Sequence, residues 1–243
     1  MKRPVTLSLS LVFCLLLTAT FSTSNSSARQ LSSAKSAATA ALEQDVLKEI
    51  NLARANPAAY AAYLEQLRPL FKGKEYKRPG VPALVTEEGT GALDDAISFL
   101  RASRPAPPLA LSQGMYSGAF ELVKDQRGTD VTGHKGSDGS FCEQRALRFG
   151  TWKEPIGENL NYSGDTARER VLTLLIDDGV ANRGHRKRLL DPAYHVAGIA
   201  CGDHKLGAMC VITLAGGFTD GPAKVALPAA KTLAPVPAGA RKF

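Results

Sequence analysis

Apolar residues recur at helical spacing through much of the middle of the chain. Leu42, Val46, Leu47 and Ile50 form one such set, Tyr60, Leu64 and Leu67 a second, and Leu93, Ala96, Ile97 and Leu100 a third. Asn56-Pro57 separates the first two helices, with Asn56 as cap and Pro57 in the next first turn, where its missing N–H costs nothing. Ser112 caps a further helix carrying Met115, Ala119, Leu122 and Val123. Its surroundings, Ala110-Leu111-Ser112-Gln113-Gly114, resemble a nucleophile elbow but lack the first glycine, and capping accounts for the serine. Ser140-Phe141-Cys142-Glu143 and Thr166-Ala167-Arg168-Glu169 match the capping box, which predicts helices near 141–148 and 167–177. A short helix is expected near His185 to Leu190. Ile156 to Tyr162 reads as a strand, and Gly73 to Thr90, polar and broken by Pro79, Gly80 and Pro82, as a long loop. Two apolar runs, Val196 to Cys201 and Met209 to Ala215, flank Gly202 to Gly207 and predict a closing β-hairpin. Helices first, then a strand, further helices and a hairpin make the fold class α+β.

The chain ends read differently. Lys2 and Arg3, an apolar stretch from Leu11 to Leu17 and small residues at Ala19, Ser22 and Ala28 form the pattern of a secretory signal peptide over residues 1–28. That apolar stretch falls short of the ~20 residues a membrane span needs. A flexible leader over 29–40 and a disordered Pro/Ala-rich tail over 219–243 leave one domain, 41–218. The expected location is secreted or extracellular, or periplasmic in a Gram-negative bacterium. With 44% hydrophobic and 22% charged residues among 243, the chain is neither disordered nor disulfide-dense. The net charge of +7 is spread without a block of five or six like charges, which excludes a dedicated nucleic-acid binder.

Export favours pairing among the cysteines beyond the signal peptide, Cys142, Cys201 and Cys210. Cys201 and Cys210 fall on the two arms of the hairpin, so a bond between them would clamp it; two free thiols on neighbouring strands are the alternative. Either way Cys142 is left over. No two-residue cysteine spacing suggests a zinc ribbon.

Two histidines stand in glycine-rich, polar segments, His134 in Gly133-His134-Lys135-Gly136 and His185 in Gly184-His185-Arg186. Glu158, in Gly157-Glu158-Asn159-Leu160, puts a carboxylate on an otherwise apolar strand, and Asp177-Asp178 closes an apolar helix. Singly, each is more often a capped turn or a surface ion pair than a site. Together they could line a polar cleft able to hold a divalent cation, hydrogen-bond a ligand or move a proton.

These segments, in this order, resemble the motifs of the CAP superfamily, the cysteine-rich secretory, antigen 5 and pathogenesis-related 1 proteins with many bacterial relatives. The resemblance runs from about residue 42 to 217, and Asn51 to Pro57 resembles the family's first-helix motif. It implies a three-layer α-β-α sandwich around a small antiparallel sheet, with a cleft lined by two histidines and two acids. Carried over by position, these are His134, Glu158 and His185, with Asp178 in the place of a glutamate. His134 and His185 are then the candidate ligands for a divalent metal such as zinc. The chain departs from the pattern in the lengthened connection from Gly179 to Arg183 and in Arg188, where an asparagine is expected.

The function this implies is binding at the cleft, of a small apolar ligand such as a lipid, a cell-envelope component, a protein partner or a divalent metal. The alternatives are a zinc-dependent hydrolase or peptidase, with Glu158 as general base, and an adhesion module for cell-wall polysaccharide.

Overall fold

The computed structural model describes the backbone of residues 22–221, with side chains from Ala37. Most of the expected signal peptide and nearly all of the expected tail lie outside the described residues. Two compact units are distinguished, Met1–Ala38 and Thr39–Phe243, and the second contains every strand among the described residues. One expectation changes near the boundary. Helix α1 spans Ser22–Ala55, so residues 29–40, read as a flexible leader, are helical. Arg29, Gln30, Leu31, Lys35 and the alanines among them are good helix formers, a preference that outweighs the serines.

The other expected helices are all formed: α2 (Pro57–Glu65), α3 (Thr90–Ala102), α4 (Gln113–Gln126), α5 (Cys142–Leu147), α6 (Ala167–Ile176) and α7 (Gly184–Leu190). Asn56 caps α2 by accepting from the Ala59 N–H at 3.0 Å, and Ser112 caps α4 through Met115. Thr166 and Glu169 form the reciprocal box at α6. The box at α5 is displaced by one residue. Phe141 is the cap position there and its N–H is taken by Gln144, while the Ser140 hydroxyl is spent on Asp138.

Between α2 and α3 lies a small antiparallel sheet of two-residue strands, β1 (Phe71–Lys72) just before the expected loop and β2 (Glu75–Tyr76) and β3 (Leu84–Val85) within it. Strands this short carry no readable alternation, which is why the sequence predicted none. The main sheet has the order β4-β6-β7-β5, from β4 (Ala110–Leu111), β5 (Gly150–Asn161), β6 (Val196–His204) and β7 (Gly207–Asp220). Its three long strands are antiparallel, and two-residue β4 adds a parallel edge to β6. In β5, Glu154 and Pro155 form a bulge, the position at which a strand tolerates a residue without an N–H.

Alternation along β6 and β7 sorts the core into two layers. Ala197, Ile199 and Cys201 with Cys210, Ile212 and Leu214 face the cluster built by α1, α2, α3, α6 and α7. Ala200, Met209 and Val211 face Ala119, Leu122 and Val123 of α4. Gly198 is what lets α4 lie so close, because a Cβ there would sit 2.1 Å from the Met115 carbonyl carbon. Each fully buried Leu or Ile contributes about 1.5–3 kcal/mol. The result is the three-layer α-β-α arrangement, with β5 as the sheet edge opposite β4.

Candidate functional site

The site is built around β5. Glu158 lies opposite Thr213 in the register with β7, so the two side chains share the face covered by α4 and α5. Its carboxylate accepts from Arg145 Nη2 at 2.6 Å and Thr213 Oγ1 at 3.3 Å, and meets His134 Nδ1 at 3.0 Å. The Glu158 and Arg145 side chains are almost wholly buried, so each charge is tolerated only because of the other. Arg145 also gathers the loop before α5 by donating to the carbonyls of His134 and Ser140. Gly133 completes the anchor by donating to Tyr162 Oη and accepting from Gln126. The backbone around His134 is thus fixed from three sides, with the ring half-exposed.

On the other face, α6 stops at Ile176 and Asp177 takes a left-handed conformation at φ 57°. That turn aims its carboxylate at the start of α7. Oδ2 accepts the backbone N–H groups of His185 and Arg186 at 3.0 and 3.2 Å, and Oδ1 meets His185 Nδ1 at 2.6 Å. An ionised carboxylate only accepts, so in both pairs Nδ1 carries the proton and Nε2 keeps the free lone pair.

Asp178 is not the partner of His185. Its carboxylate accepts the N–H groups of Glu87 and Glu88 at 2.7 and 2.9 Å, because the left-handed turn at Asp177 directs the next residue outward. The lengthened connection docks on the same turn. Gly179 N donates to Glu88, and Arg183 donates to Glu88, to Asp95 and to the Asp177 carbonyl. The Arg183 guanidinium holds the Glu88 carboxyl down at about 2.

The two imidazole pairs meet the same strand one residue apart. Asn159, whose side chain points to the face opposite that of Glu158, donates to the His185 carbonyl at 3.1 Å. Arg188 Nη1 donates to the Glu158 carbonyl and to Asn159 Oδ1. In the sequence Asp177 was read only within the pair Asp177-Asp178, of which Asp178 was chosen, and Thr213 and Arg188 were not read as site residues. A helix C-cap acid adjoining a short helix was the one signal that could have singled out Asp177.

Cys201 and Cys210 are register partners on β6 and β7 and are disulfide-bonded. Cys142 is free and buried near Glu158; burial first, then the Glu158 charge, raises its thiol far above the usual range. Among the described residues, no group of three or more His, Cys, Asp or Glu is placed to hold a metal, and no helix is long and apolar enough to cross a membrane. An open groove of about 350 Å³ between Phe99 and Pro105 on one side and Lys187 and Pro192 on the other is lined by none of the expected site residues.

The chain matches the family model "Cysteine-rich secretory protein family" (CAP) over residues 95–213. No curated protein shows significant similarity to it. Among solved structures it is similar to an extracellular protein containing a SCP domain from Bacillus anthracis, at 20% identity and TM-score 0.38, over 45% of this chain and 34% of that one. It is also similar to the CAP domain of enterococcal PrgA, at 14% identity and TM-score 0.33, over 54% of this chain and 58% of that one. The chain therefore spans about a third of the first protein and somewhat more than half of the second. The matched segment contains His134, Glu158 and His185 in the expected order, and it is this segment that carries the CAP domain.

Proposed function

We propose that this CAP domain is secreted and acts by binding, with His134 and His185 as the groups that meet the ligand at one cleft along the edge of β5. The observation that carries this reading is the repeated carboxylate–imidazole pair. Nδ1 of each ring is held by a buried acid at 3.0 and 2.6 Å, which leaves Nε2 as the ring nitrogen open to a ligand on side chains 45% and 21% exposed. A carboxylate behind Nδ1 orients the ring and raises the basicity of Nε2, as in imidazoles that bind metals. Two such nitrogens suit zinc, with the other positions left to water or to the ligand. The N-terminal pattern of Lys2, Arg3 and Leu11 to Leu17 supports export.

The donor set does not favour the hydrolase. A catalytic zinc takes three protein ligands, and both carboxylates are already committed. Glu158 is held by Arg145 and Thr213 as well as by His134, so it is poorly placed to take a proton from water. Calorimetry with zinc on the wild type and on H134A/H185A tests the reading. The expected result is binding by the wild type, lost in a double variant that remains folded. Equal affinity in the two proteins rejects His134 and His185 as ligands.

A further inference from the structure

One cation near His185 is not neutralised. Arg188 lies three residues after His185, on the same face of α7. Its acceptors are neutral oxygens: the Glu158 carbonyl at 3.0 Å, Asn159 Oδ1 at 2.5 Å and the hydroxyl of Tyr194. Among the described residues it forms no salt bridge, whereas the neighbouring Arg183 and Arg186 both reach Asp95. Arginine offers five N–H donors, so about two remain without a protein acceptor.

The seat of this guanidinium is specific. Gly157 is the residue under it, and a Cβ there would stand 2.5 Å from Arg188 Nε and 3.0 Å from Tyr194 Oη. Only a residue without a side chain lets the guanidinium lie along the strand. Because β5 ends the sheet, an acceptor carbonyl not used by β7 points outward, and Arg188 takes that of Glu158 on this edge. His134 reaches Glu158 from one face of the strand and His185 is tied to Asn159 on the other. A planar, permanently charged fork on the edge of the strand that both imidazole pairs meet suits a planar or tetrahedral oxyanion.

We infer that the ligand of this cleft carries an oxyanion, a phosphate or a carboxylate, and that Arg188 is the residue that binds it. The inference rests on the imidazole reading for the position of the cleft, but its test uses no metal. Metal-free wild-type protein is titrated with inorganic phosphate and, separately, with acetate, at constant ionic strength, following the Arg188 Nε–H and His185 ring resonances by NMR. The expected result is saturable shifts of both, with the tighter of the two anions identifying the source. R188Q should weaken that anion at least tenfold, and R188K should fall between. Absence of saturable shifts for both anions in the wild type overturns the proposal. So does an R188Q that binds the anion within twofold of wild type, whatever its zinc affinity. If R188Q does not fold, the wild-type Arg188 shifts decide alone. Absence of zinc binding by the wild type, by contrast, would count against the imidazole reading and leave the phosphate result standing.

Discussion

Asp177 and His185 are joined twice, once through the imidazole Nδ1 at 2.6 Å and once through the backbone N–H of His185 at 3.0 Å. One buried side chain therefore fixes both the ring and the first turn of the helix that carries it. His134 lacks the second link. Its position depends on the loop contacts made by Gly133 and on Arg145.

Asp177→Asn tests the coupling. Asparagine tolerates the left-handed backbone and can still accept through its oxygen, so the turn should persist. The neutral amide orients the ring less firmly, and zinc affinity should fall about 10- to 100-fold, the usual effect of losing a carboxylate behind a ligating imidazole. Asp178→Ala should leave zinc affinity within about twofold, since that carboxylate serves only the turn at Glu87 and Glu88. Calorimetry on both variants separates the two acids. A larger loss in the Asp178 variant would restore the assignment made from sequence.

The turn that docks the lengthened connection should be acid-sensitive. Glu88 is held from its ordinary value of 4.5 down to about 2, chiefly by its hydrogen bonds to Arg183. A depressed carboxyl stabilises the folded state above the unfolded value, and the contribution is lost as the pH falls through about 2. Thermal melts of wild type and Glu88→Gln should differ near pH 6 and converge between about pH 4.5 and 2. The gap should be modest because the pair is partly exposed. A gap that stays constant down to pH 2 would show that Glu88 acts by shape alone.

What the sequence made legible was whatever is written in local pattern. Helices α2 to α7 carried caps or apolar stripes, and the hairpin placed Cys201 opposite Cys210. The strands β1 to β3 were hidden because two residues cannot show a period, and the helical stretch 29–40 because a serine-rich composition masked good helix formers. Within the site, His134, Glu158 and His185 stood out by motif. The choice between Asp177 and Asp178 turned on one backbone angle, which adjacent identical residues cannot reveal. Thr213 and Arg188 depend on strand register and helix docking, contacts set by the assembled fold.

The domain should end later than the Pro-rich composition suggests. Asp220, expected in the tail, is the last residue of β7 and accepts from Ser112 Oγ at 3.1 Å and from the Gly114 N–H at 2.6 Å, completing the cap of α4. Losing such a cap costs about 1 kcal/mol. Asp220→Ala should therefore melt about 2–4 °C lower than wild type, the shift expected for a domain of this size. A chain ending at Phe218 should fall at least as far relative to one ending at Gly221. Identical melting of all these proteins would show that Ser112 suffices.

Peptide mapping without reduction should recover Cys201 joined to Cys210. The native protein should resist thiol reagents at Cys142, whose sulfur is buried and whose thiolate is disfavoured. Closing so short a loop restricts the unfolded chain by about 2–3 kcal/mol, so C201S/C210S should be destabilised by that order in denaturant titrations. Rapid labelling of Cys142 in the folded protein would contradict the burial around Glu158.

Glu158 and His134 should respond in opposite ways, and this separates a structural acid from a catalytic one. Glu158→Gln leaves Arg145 buried without its charge partner, and breaking a pair of this kind costs about 3–5 kcal/mol. His134→Ala removes a half-exposed ring and should cost about 0.5 kcal/mol, while the Glu158–Arg145 pair survives. The expected pattern in urea titrations is therefore a severe loss for Glu158→Gln and a slight one for His134→Ala, with zinc binding weakened in the latter. If Glu158→Gln instead remains as stable as wild type, the carboxylate is not needed to neutralise Arg145. A role for it in proton transfer at the cleft would then regain the ground that its hydrogen bonds to Arg145 and Thr213 now occupy.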